Sequence, residues 1–295
     1  MGMVNTLGLV LHPQRDSKVA IEAIIEWAGG RAGTVLGLPE EIGRIDCSAV
    51  PVPPEEMIER ADLLVSLGGD GTMLRTMRLA AGPSTPVLGV NLGRLGFLAE
   101  INVDDLAHAL TAIDEHRFTV EPRMAVCAQL PDGNLATAFN DIALVRIPGD
   151  GMAALEVSVE NQRFVRYSAD AVIVATSTGS TAYSFSAGGP IVSPRVEGLL
   201  VIPVAPHSAF NRAIFLSAGE PVGLDLLPTS GRLAVEVDGR LAGTVEPGQT
   251  VRVFLCARAG RVVRLGSTTF YQRARRKLRL ADPAELDDVD VTRTG

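Results

Sequence analysis

Lysine is scarce in this 295-residue sequence: Lys18 and Lys277 are the two lysines, so arginine must supply most of the positive charge. Acidic residues still outnumber basic ones, 34 to 27, which gives a formal net charge of -7 and an isoelectric point near 5.2. A chain with this charge has no overall positive field to attract nucleic acid, so we expect no nucleic-acid partner. An anionic ligand would need a local site.

Cysteine is scarce as well, and Cys47, Cys127 and Cys256 stand far apart. This spacing predicts neither a disulfide framework nor a cysteine metal site, and it favours a reducing, cytoplasmic compartment. No apolar run reaches the roughly 18 residues that a helix needs to cross a bilayer, and the N-terminus lacks the pattern of a signal peptide. We therefore expect a soluble cytoplasmic protein with no membrane partner.

Hydrophobic residues, by contrast, make up 46% of the chain, enough to bury a large core in one large domain or two. From residue 7 to about 118, short apolar runs alternate with longer amphipathic ones, which predicts an α/β sheet with ligands at the carboxyl ends of its strands. The predicted strands are 7–11, 61–67 and 86–90, and the predicted helices are 18–27, 72–80 and 104–114.

After residue 117 helical periodicity nearly vanishes, and strand-length segments separated by turn signals predict a β-sandwich or barrel. The predicted strands are 124–130, 136–145, 155–159, 164–167, 171–175, 199–204, 222–226, 233–237, 241–245, 250–255 and 261–265. Asp238-Gly239, between two of them, predicts a type I′ hairpin turn. The basic stretch from Arg273 to Arg279 predicts a solvated helix, followed by a frayed acidic end.

A glycine-rich loop directly follows the 61–67 strand and opens a helix: Gly68-Gly69-Asp70-Gly71-Thr72. Glycine permits positive φ angles and lets backbone N–H groups approach phosphate oxygens without a Cβ in the way. A carboxylate beside phosphates is repulsive, so Asp70 points to a chemical task. It could accept the proton of an attacking hydroxyl during phosphoryl transfer from a magnesium-bound triphosphate. Arg75, one helical turn on, is the nearest candidate for positive charge.

The alternative for this glycine loop, residues 68–72, is a tight turn in which Asp70 caps the N-terminus of the helix. Arg75 has its own alternative as an ordinary surface arginine. The loop matches neither the P-loop pattern G-x-x-x-x-G-K-[ST] nor the dinucleotide pattern G-x-G-x-x-G. The choice between turn and nucleotide loop therefore needs a second motif.

A second polar segment, residues 171–192, runs from a predicted strand into serine, threonine and glycine residues around Gly179. Its amides and hydroxyls could contact a ribose or an adenine, but by composition alone it could also be a polar loop with a structural Tyr183. The four histidines have no zinc-ligand spacing, and the segment does not contain a G-x-S-x-G elbow. Neither a zinc site nor a hydrolase is predicted.

Together, the glycine loop and the 171–192 segment closely resemble the ATP-NAD kinase family, whose members phosphorylate the 2′-hydroxyl of the adenosine ribose of NAD to give NADP. Further family-like segments follow in the right order and extend the resemblance over most of residues 61–240: 91–98 (Asn-Leu-Gly-Arg-Leu-Gly-Phe-Leu), Asn140-Asp141, Pro206-His207 and Asp238-Gly239. The resemblance implies an α/β N-terminal domain, then an all-β sandwich domain, with a C-terminal segment that returns to the first domain. With the periodicity, it predicts an α/β domain over 1–120 joined by the tail 271–295, and an NAD-binding sandwich over 121–270.

The resemblance also implies roles for individual residues, with Asp70 as the proton acceptor toward the 2′-hydroxyl of NAD. The implied phosphate-donor residues are Gly68, Gly69, Gly71 and Thr72. The implied NAD-binding residues are Asp70, Gly71, Arg75, Asn140, Asp141, Asp170, Thr181, Ala182, Tyr183 and Ser186. No protein ligand is assigned to a metal, and the implied cofactor is Mg²⁺ or another divalent cation that comes with ATP.

The implied substrates are NAD and ATP or polyphosphate. Because several family contacts come from a neighbouring subunit, a homodimer or homotetramer is implied too. The chain departs from the family at four positions. Ser168 stands where some members have arginine, and Ala171 where members usually have glycine. Ser177 stands where members often have proline, and Ala213 where they usually have proline. Arg166 could substitute for the missing arginine, and the preference between NAD and NADH stays open.

Two other functions are open on the residues. A lipid or sugar kinase with the same Gly-Gly-Asp-Gly loop, such as a diacylglycerol kinase, is one; residues 178–190 argue against it, because a lipid has no adenosine to hold. A dinucleotide-sensing module that keeps the pocket without turnover is the other. The favoured interpretation is a cytoplasmic, magnesium-dependent NAD kinase.

Overall fold

The computed structural model describes residues 4–45, 47–82, 85–93, 96–266 and 268–280. The chain forms two compact units, Met1–Glu121 with Val262–Gly295, and Pro122–Arg261, which we call the α/β unit and the β unit. An α/β N-terminal part, a following β-sandwich and a C-terminal segment that belongs to the first unit confirm the predicted fold class.

The helices lie mostly in the α/β unit. They are α1 (Lys18–Gly29), α2 (Pro39–Ile42), α3 (Pro54–Arg60), α4 (Asp70–Leu79), α5 (Leu106–Asp114), α6 (Tyr183–Ser186) and α7 (Phe270–Leu278), and only α6 belongs to the β unit among the described residues. Helix α7 begins with a capping box, in which Thr269 and Gln272 bond each other's backbone N–H groups.

The sheet of the α/β unit is parallel. Its strands are β1 (Thr6–Leu11), β2 (Thr34–Gly37), β3 (Val50–Pro51), β4 (Leu63–Gly68), β5 (Val87–Asn91) and β6 (Ile101–Asn102), in the order β3-β2-β1-β4-β5-β6. Strand β4 is buried along its whole length, as expected for a strand covered on both faces. In this arrangement β1, β4 and β5 end at one edge of the sheet, where the glycine loop begins.

The β unit contains two antiparallel layers. The strands of the chain from residue 119 onward are β7 (Thr119–Gln129), β8 (Leu135–Ala138), β9 (Asp141–Arg146), β10 (Ala153–Val159), β11 (Gln162–Ala169), β12 (Ala171–Thr176), β13 (Gly198–Val204), β14 (Ile214–Ser217), β15 (Val222–Leu226), β16 (Leu233–Val237), β17 (Arg240–Val245) and β18 (Thr250–Arg264). One sheet has the order β14-β13-β12-β9-β16-β17, and the other contains β8, β7, β18, β15, β10 and β11. Val126 and Leu155 of one layer share a core with Leu144 and Val172 of the other, which makes this unit a sandwich.

One expectation about cysteine is wrong. Cys127 on β7 and Cys256 on β18 form a disulfide, with their Cα atoms 6.1 Å apart. The two residues are 129 positions apart in sequence, but β7 and β18 are paired strands, so the fold brings together thiols that sequence spacing separates. Cys47 is free and partly buried. The cytoplasmic location stays a prediction.

Within the described ranges, no helix is both long and apolar enough to span a membrane.

Candidate active site

The glycine loop joins β4 to α4 in the α/β unit, as the sequence predicted. At Gly68 a Cβ would overlap the side chain of Thr72, whereas at Gly69 and Gly71 it would meet no atom within 4 Å. None of these three glycines has a positive φ, so the loop does not use the left-handed backbone that glycine permits. Gly69 and Gly71 therefore leave open space on the loop, through which a ligand can reach the backbone.

Asp70 is the first residue of α4, but its carboxylate does not cap that helix. Oδ2 accepts a hydrogen bond from the backbone N–H of Phe97 and Oδ1 accepts one from Leu98, both at 3.0 Å. Gly96 lies so close to Asp70 that a Cβ there would overlap the carboxylate. The expected alternative, an N-cap, is wrong; the carboxylate instead holds the segment after β5.

A third donor reaches Asp70 from α7. Lys277 Nζ lies 2.9 Å from Oδ2, and its ammonium also stands 4.7 Å from the centre of the Phe97 ring. Burial raises the pKa of Asp70, but the N–H groups of Phe97 and Leu98 and the charge of Lys277 together lower it below its ordinary value. The carboxylate is therefore ionised at neutral pH.

Arg75 does not supply this positive charge. Its guanidinium donates to the backbone oxygen of Leu11 at 2.6 Å and forms an ion pair with Glu41 at 2.5 Å. Glu41 is buried and its other oxygen accepts the N–H of Leu11 at 2.6 Å. Arg75 thus ties α4 to α2 and to the end of β1.

Basic residues nevertheless lie around His12, which directly follows β1. Nδ1 of His12 accepts the backbone N–H groups of Gln14 and Arg15, each at 3.1 Å. Burial lowers the pKa of His12, and the charges of Arg15, Arg75 and Arg44 lower it further. The imidazole is therefore neutral at neutral pH, and the arginines form a local positive field in an acidic chain.

In the β unit, the Asn140-Asp141 pair lies at the start of β9 and is held by Asp238. The carboxylate of Asp238 accepts the backbone N–H of Asn140 at 2.7 Å and that of Phe139 at 3.3 Å. Asp238 and Gly239 both have positive φ, as a type I′ turn requires, so the predicted hairpin between β16 and β17 is confirmed. The turn interpretation alone missed this second task of Asp238.

Three of the NAD-binding candidates in the β unit act on each other electrostatically. Burial raises the pKa of Asp141 to about 7, and the charges of Asp238 and Glu236 add to this. Burial also raises the pKa of Tyr183, together with the charges of Glu236, Asp141 and Asp170. Asp170 itself forms an ion pair with Arg146 at 2.6 Å. The fold thus gathers Asp141, Asp170 and Tyr183 around one acidic region.

The 171–192 segment divides into structural and accessible hydroxyls. Thr176, Ser177, Ser180 and Ser184 are fully buried, and the first three bond to backbone groups of the same unit. Position 179 requires glycine, because a Cβ there would overlap the backbone of Asn140. The predicted NAD-binding residues of this segment are accessible: Tyr183 and Ser186 are exposed, and Thr181 and Ala182 are partly exposed.

Some sequence expectations find no support or fall outside the described chain. Arg166, the suggested substitute for an absent arginine, forms an ion pair with Glu156 at 2.6 Å. Arg94 and Leu95 of the 91–98 segment lie outside the described residues. No group of three or more His, Cys, Asp or Glu side chains within the described ranges could hold a metal ion.

A parallel α/β sheet with a glycine loop and an ionised carboxylate at the carboxyl edge of its strands defines a nucleotide-binding protein. Residues 49–118 match the ATP-NAD kinase N-terminal domain, and residues 139–265 match the ATP-NAD kinase C-terminal domain. Together these matches cover more than half of the chain. The chain therefore belongs to the ATP-NAD kinase family, and the prediction that it is an NAD kinase is confirmed.

Known relatives agree along nearly the whole chain. NAD kinase 1 of Streptomyces avermitilis is 39% identical over 97% of this chain and 90% of its own length, and the NAD kinase of Desulforamulus reducens is 34% identical over 94% and 98%. Yeast NADH kinase complexed with NADH superposes with a TM-score of 0.82 at 26% identity, covering 96% of this chain and 89% of that one. An NAD kinase from Archaeoglobus fulgidus in complex with ATP gives 0.72 at 25% identity, covering 94% and 100%.

Proposed function

We propose that this chain transfers the γ-phosphate of ATP to the 2′-hydroxyl of the adenosine ribose of NAD, giving NADP and ADP. Asp70 accepts the hydroxyl proton as the ribose oxygen bonds to the γ-phosphorus and the bond from that phosphorus to the bridging oxygen of ADP breaks. Magnesium enters as part of the substrate, bound to ATP. Relatives in complex with NADH and with ATP support these two substrates.

The observation that carries the proposal is the hydrogen bonding of Asp70. A carboxylate has about four lone-pair positions, and the described contacts fill three of them: two on Oδ2 and one on Oδ1. One position on Oδ1 is left for the hydroxyl of a substrate. Because the pKa of Asp70 is lowered, this position is ready to accept a proton at neutral pH.

We keep the division of the site that the resemblance implies. The phosphate donor lies on Gly68, Gly69, Gly71 and Thr72, where Gly69 and Gly71 leave the loop open. NAD is bound by Asp70 and Gly71 together with Arg75, Asn140, Asp141, Asp170, Thr181, Ala182, Tyr183 and Ser186. Arg75 has the weakest case, because its guanidinium already contacts Glu41 and Leu11.

The proposed enzyme is a cytoplasmic homodimer or homotetramer. Light scattering on the purified chain measures this oligomeric state directly, and a monomer at assay concentration would remove the oligomer from the proposal.

The Asp70→Asn substitution tests the proposal. Asparagine keeps the shape of the side chain but cannot take the proton, so kcat should fall by at least about 10²-fold with a modest change in the KM for NAD. The measurement is NADP production from NAD, ATP and magnesium. Asp104→Asn, at an exposed aspartate before α5, is the matched control and should keep wild-type turnover.

Three results would contradict parts of the proposal. Near-wild-type turnover of a folded Asp70→Asn protein would remove Asp70 as the base. Binding of NAD without NADP production by the wild-type chain would indicate a dinucleotide sensor. Phosphorylation of a lipid but not of NAD would indicate a lipid kinase. A panel of ATP, other triphosphates and polyphosphate in the same assay identifies the donor.

A further inference from the structure

We propose that Lys277 is a positioning residue of the active site, which keeps the Asp70 carboxylate ionised and fixed for proton transfer and thereby makes the C-terminal helix α7 part of the catalytic apparatus. This inference rests on the proposed role of Asp70. It concerns one of the two lysines of the chain, in a stretch whose sequence predicts only a solvated helix.

The anchoring of α7 is the first support. Arg273, only 4% exposed, donates to Glu100 at 3.1 Å, and Arg264 donates to the same buried carboxylate at 2.7 Å. The ring of Phe270, at the start of the helix, lies 6.3 Å from that of Phe97. Helix α7 is therefore fixed on one face through Arg273, while most of its other residues are exposed, so the predicted solvated helix has one buried face.

The position of Lys277 on this helix is the second support. It stands four residues after Arg273, and residues at this spacing share one face of a helix. The face of α7 that is anchored by Arg273 thus presents the ammonium group to Asp70, although the Lys277 side chain itself remains 37% exposed. The ammonium lies 2.9 Å from Oδ2 and over the ring of Phe97, whose N–H also bonds to Oδ2.

The charges around Asp70 leave this role to Lys277. On its own helix, Arg75 is engaged by Glu41, and the 96–98 segment contributes backbone N–H groups and no described charge. On α7, Arg273 is engaged by Glu100. The other arginines of the helix region line a cavity of about 460 Å³: Arg275, Arg276 and Arg279. Among the described residues, the charge that lowers the pKa of Asp70 is that of Lys277.

The role follows from the chemistry of a partly buried base. Burial alone would raise the pKa of Asp70, so that part of the enzyme would carry a protonated, inactive carboxyl at mildly acidic pH. The ammonium of Lys277 opposes this effect and occupies Oδ2, which leaves Oδ1 toward the substrate hydroxyl. Loss of the charge should therefore act on the acidic side of the pH profile.

The test compares Lys277→Met, Lys277→Arg and Lys18→Met in the full-length enzyme. Lys18 is the matched control, because it is an exposed lysine on α1 with a 3.9 Å surface contact to Glu22. The measurement is kcat/KM for NAD against pH. In Lys277→Met the acidic limb should move to higher pH, so that its deficit is larger at pH 6 than at pH 8. Lys277→Arg should restore much of the wild-type profile, and Lys18→Met should leave it unchanged.

A second readout does not depend on turnover. Isotope labelling of lysine gives two side-chain NMR signals, one for each lysine, and Lys18→Arg assigns them. The Lys277 signal should shift in Asp70→Asn, whereas the Lys18 signal should not. An unshifted Lys277 signal, or an acidic limb that stays in place in folded Lys277→Met, would overturn this inference. An active Asp70→Asn enzyme would instead overturn the proposed base itself.

Discussion

Two carboxylates of this chain, Asp70 and Asp141, show how neighbours decide the effect of burial on a pKa. Burial raises the pKa of both. At Asp70, two backbone N–H groups and an ammonium outweigh it, so the pKa is lowered. At Asp141 the charges of Asp238 and Glu236 add to it, so the pKa rises to about 7. The same residue type is therefore ionised at one position and half-protonated near neutrality at the other.

Asp141 predicts a pH-dependent stability. Its pKa is about 7 in the folded protein and about 3.9 in the unfolded chain. Between these values the folded state binds the proton more tightly, so its contribution to the free energy of unfolding is present at low pH and falls as pH rises toward 7. Asp141→Asn removes the ionisation. The stability of the variant relative to wild type should therefore increase between pH 5 and pH 8, by about 2–3 kcal/mol.

Urea unfolding at the two pH values measures this difference. Glu59→Gln, at an exposed residue of α3, is the control and should show no such gain. Equal stability differences between Asp141→Asn and wild type at pH 5 and pH 8 would contradict the pKa of about 7.

At the scale of elements, periodicity located the long strands and helices but missed what depends on distant partners. The 136–145 run was predicted as one strand, yet it is two strands, β8 and β9, because Asp238 accepts the backbone N–H groups of Phe139 and Asn140 between them. The runs 250–255 and 261–265 are one strand, β18, because pairing continues across them. The two-residue strand β3 is too short to show a period.

The candidate site likewise contains residues that the sequence pattern identifies and residues that depend on distant partners. The sequence indicates the glycine loop directly, since three glycines and an aspartate follow a predicted strand without interruption. Lys277 gave no such signal, because it belongs to an ordinary basic helix and meets Asp70 across 207 residues of sequence. The scarcity of lysine was the one feature that could have drawn attention to it.

The anchoring of α7 depends on a buried charge network. Glu100 is 6% exposed and receives both Arg264 and Arg273, which are 7% and 4% exposed. Glu100→Gln keeps the size of the side chain but leaves the buried guanidinium of Arg273 without its counter-charge and that of Arg264 with Glu121 alone. We expect a loss of about 3–5 kcal/mol in the free energy of unfolding. Urea denaturation measures it.

Glu115→Gln provides the comparison at the surface. Glu115 pairs with Arg117, and both side chains are more than half exposed. Its loss should cost about 0–1 kcal/mol. A Glu100→Gln protein as stable as Glu115→Gln would show that the network does not hold α7.

At the scale of the whole molecule, the net charge and the local charges have different effects on ligand binding. The net charge of -7 describes the surface as a whole, whereas the anion-binding chemistry depends on a few local cations. The arginines around His12 are local cations of this kind within the α/β unit, whereas Lys277 is paired with Asp70. An acidic chain can therefore still bind anionic substrates, and its activity should weaken with added salt through these few contacts.

The Cys127–Cys256 disulfide restricts a large part of the chain, because it joins residues 129 positions apart within the β unit. A cross-link over such a length removes conformational freedom from the unfolded chain, which is worth about 5 kcal/mol in the chain-entropy account. Reduction should therefore lower the urea midpoint of unfolding, while Cys47→Ser should leave it unchanged. Thiol titration in denaturant should find one free thiol per chain before reduction and three after it. Three thiols before reduction would show that the bond does not form, and the stability of the protein would then be independent of reductant.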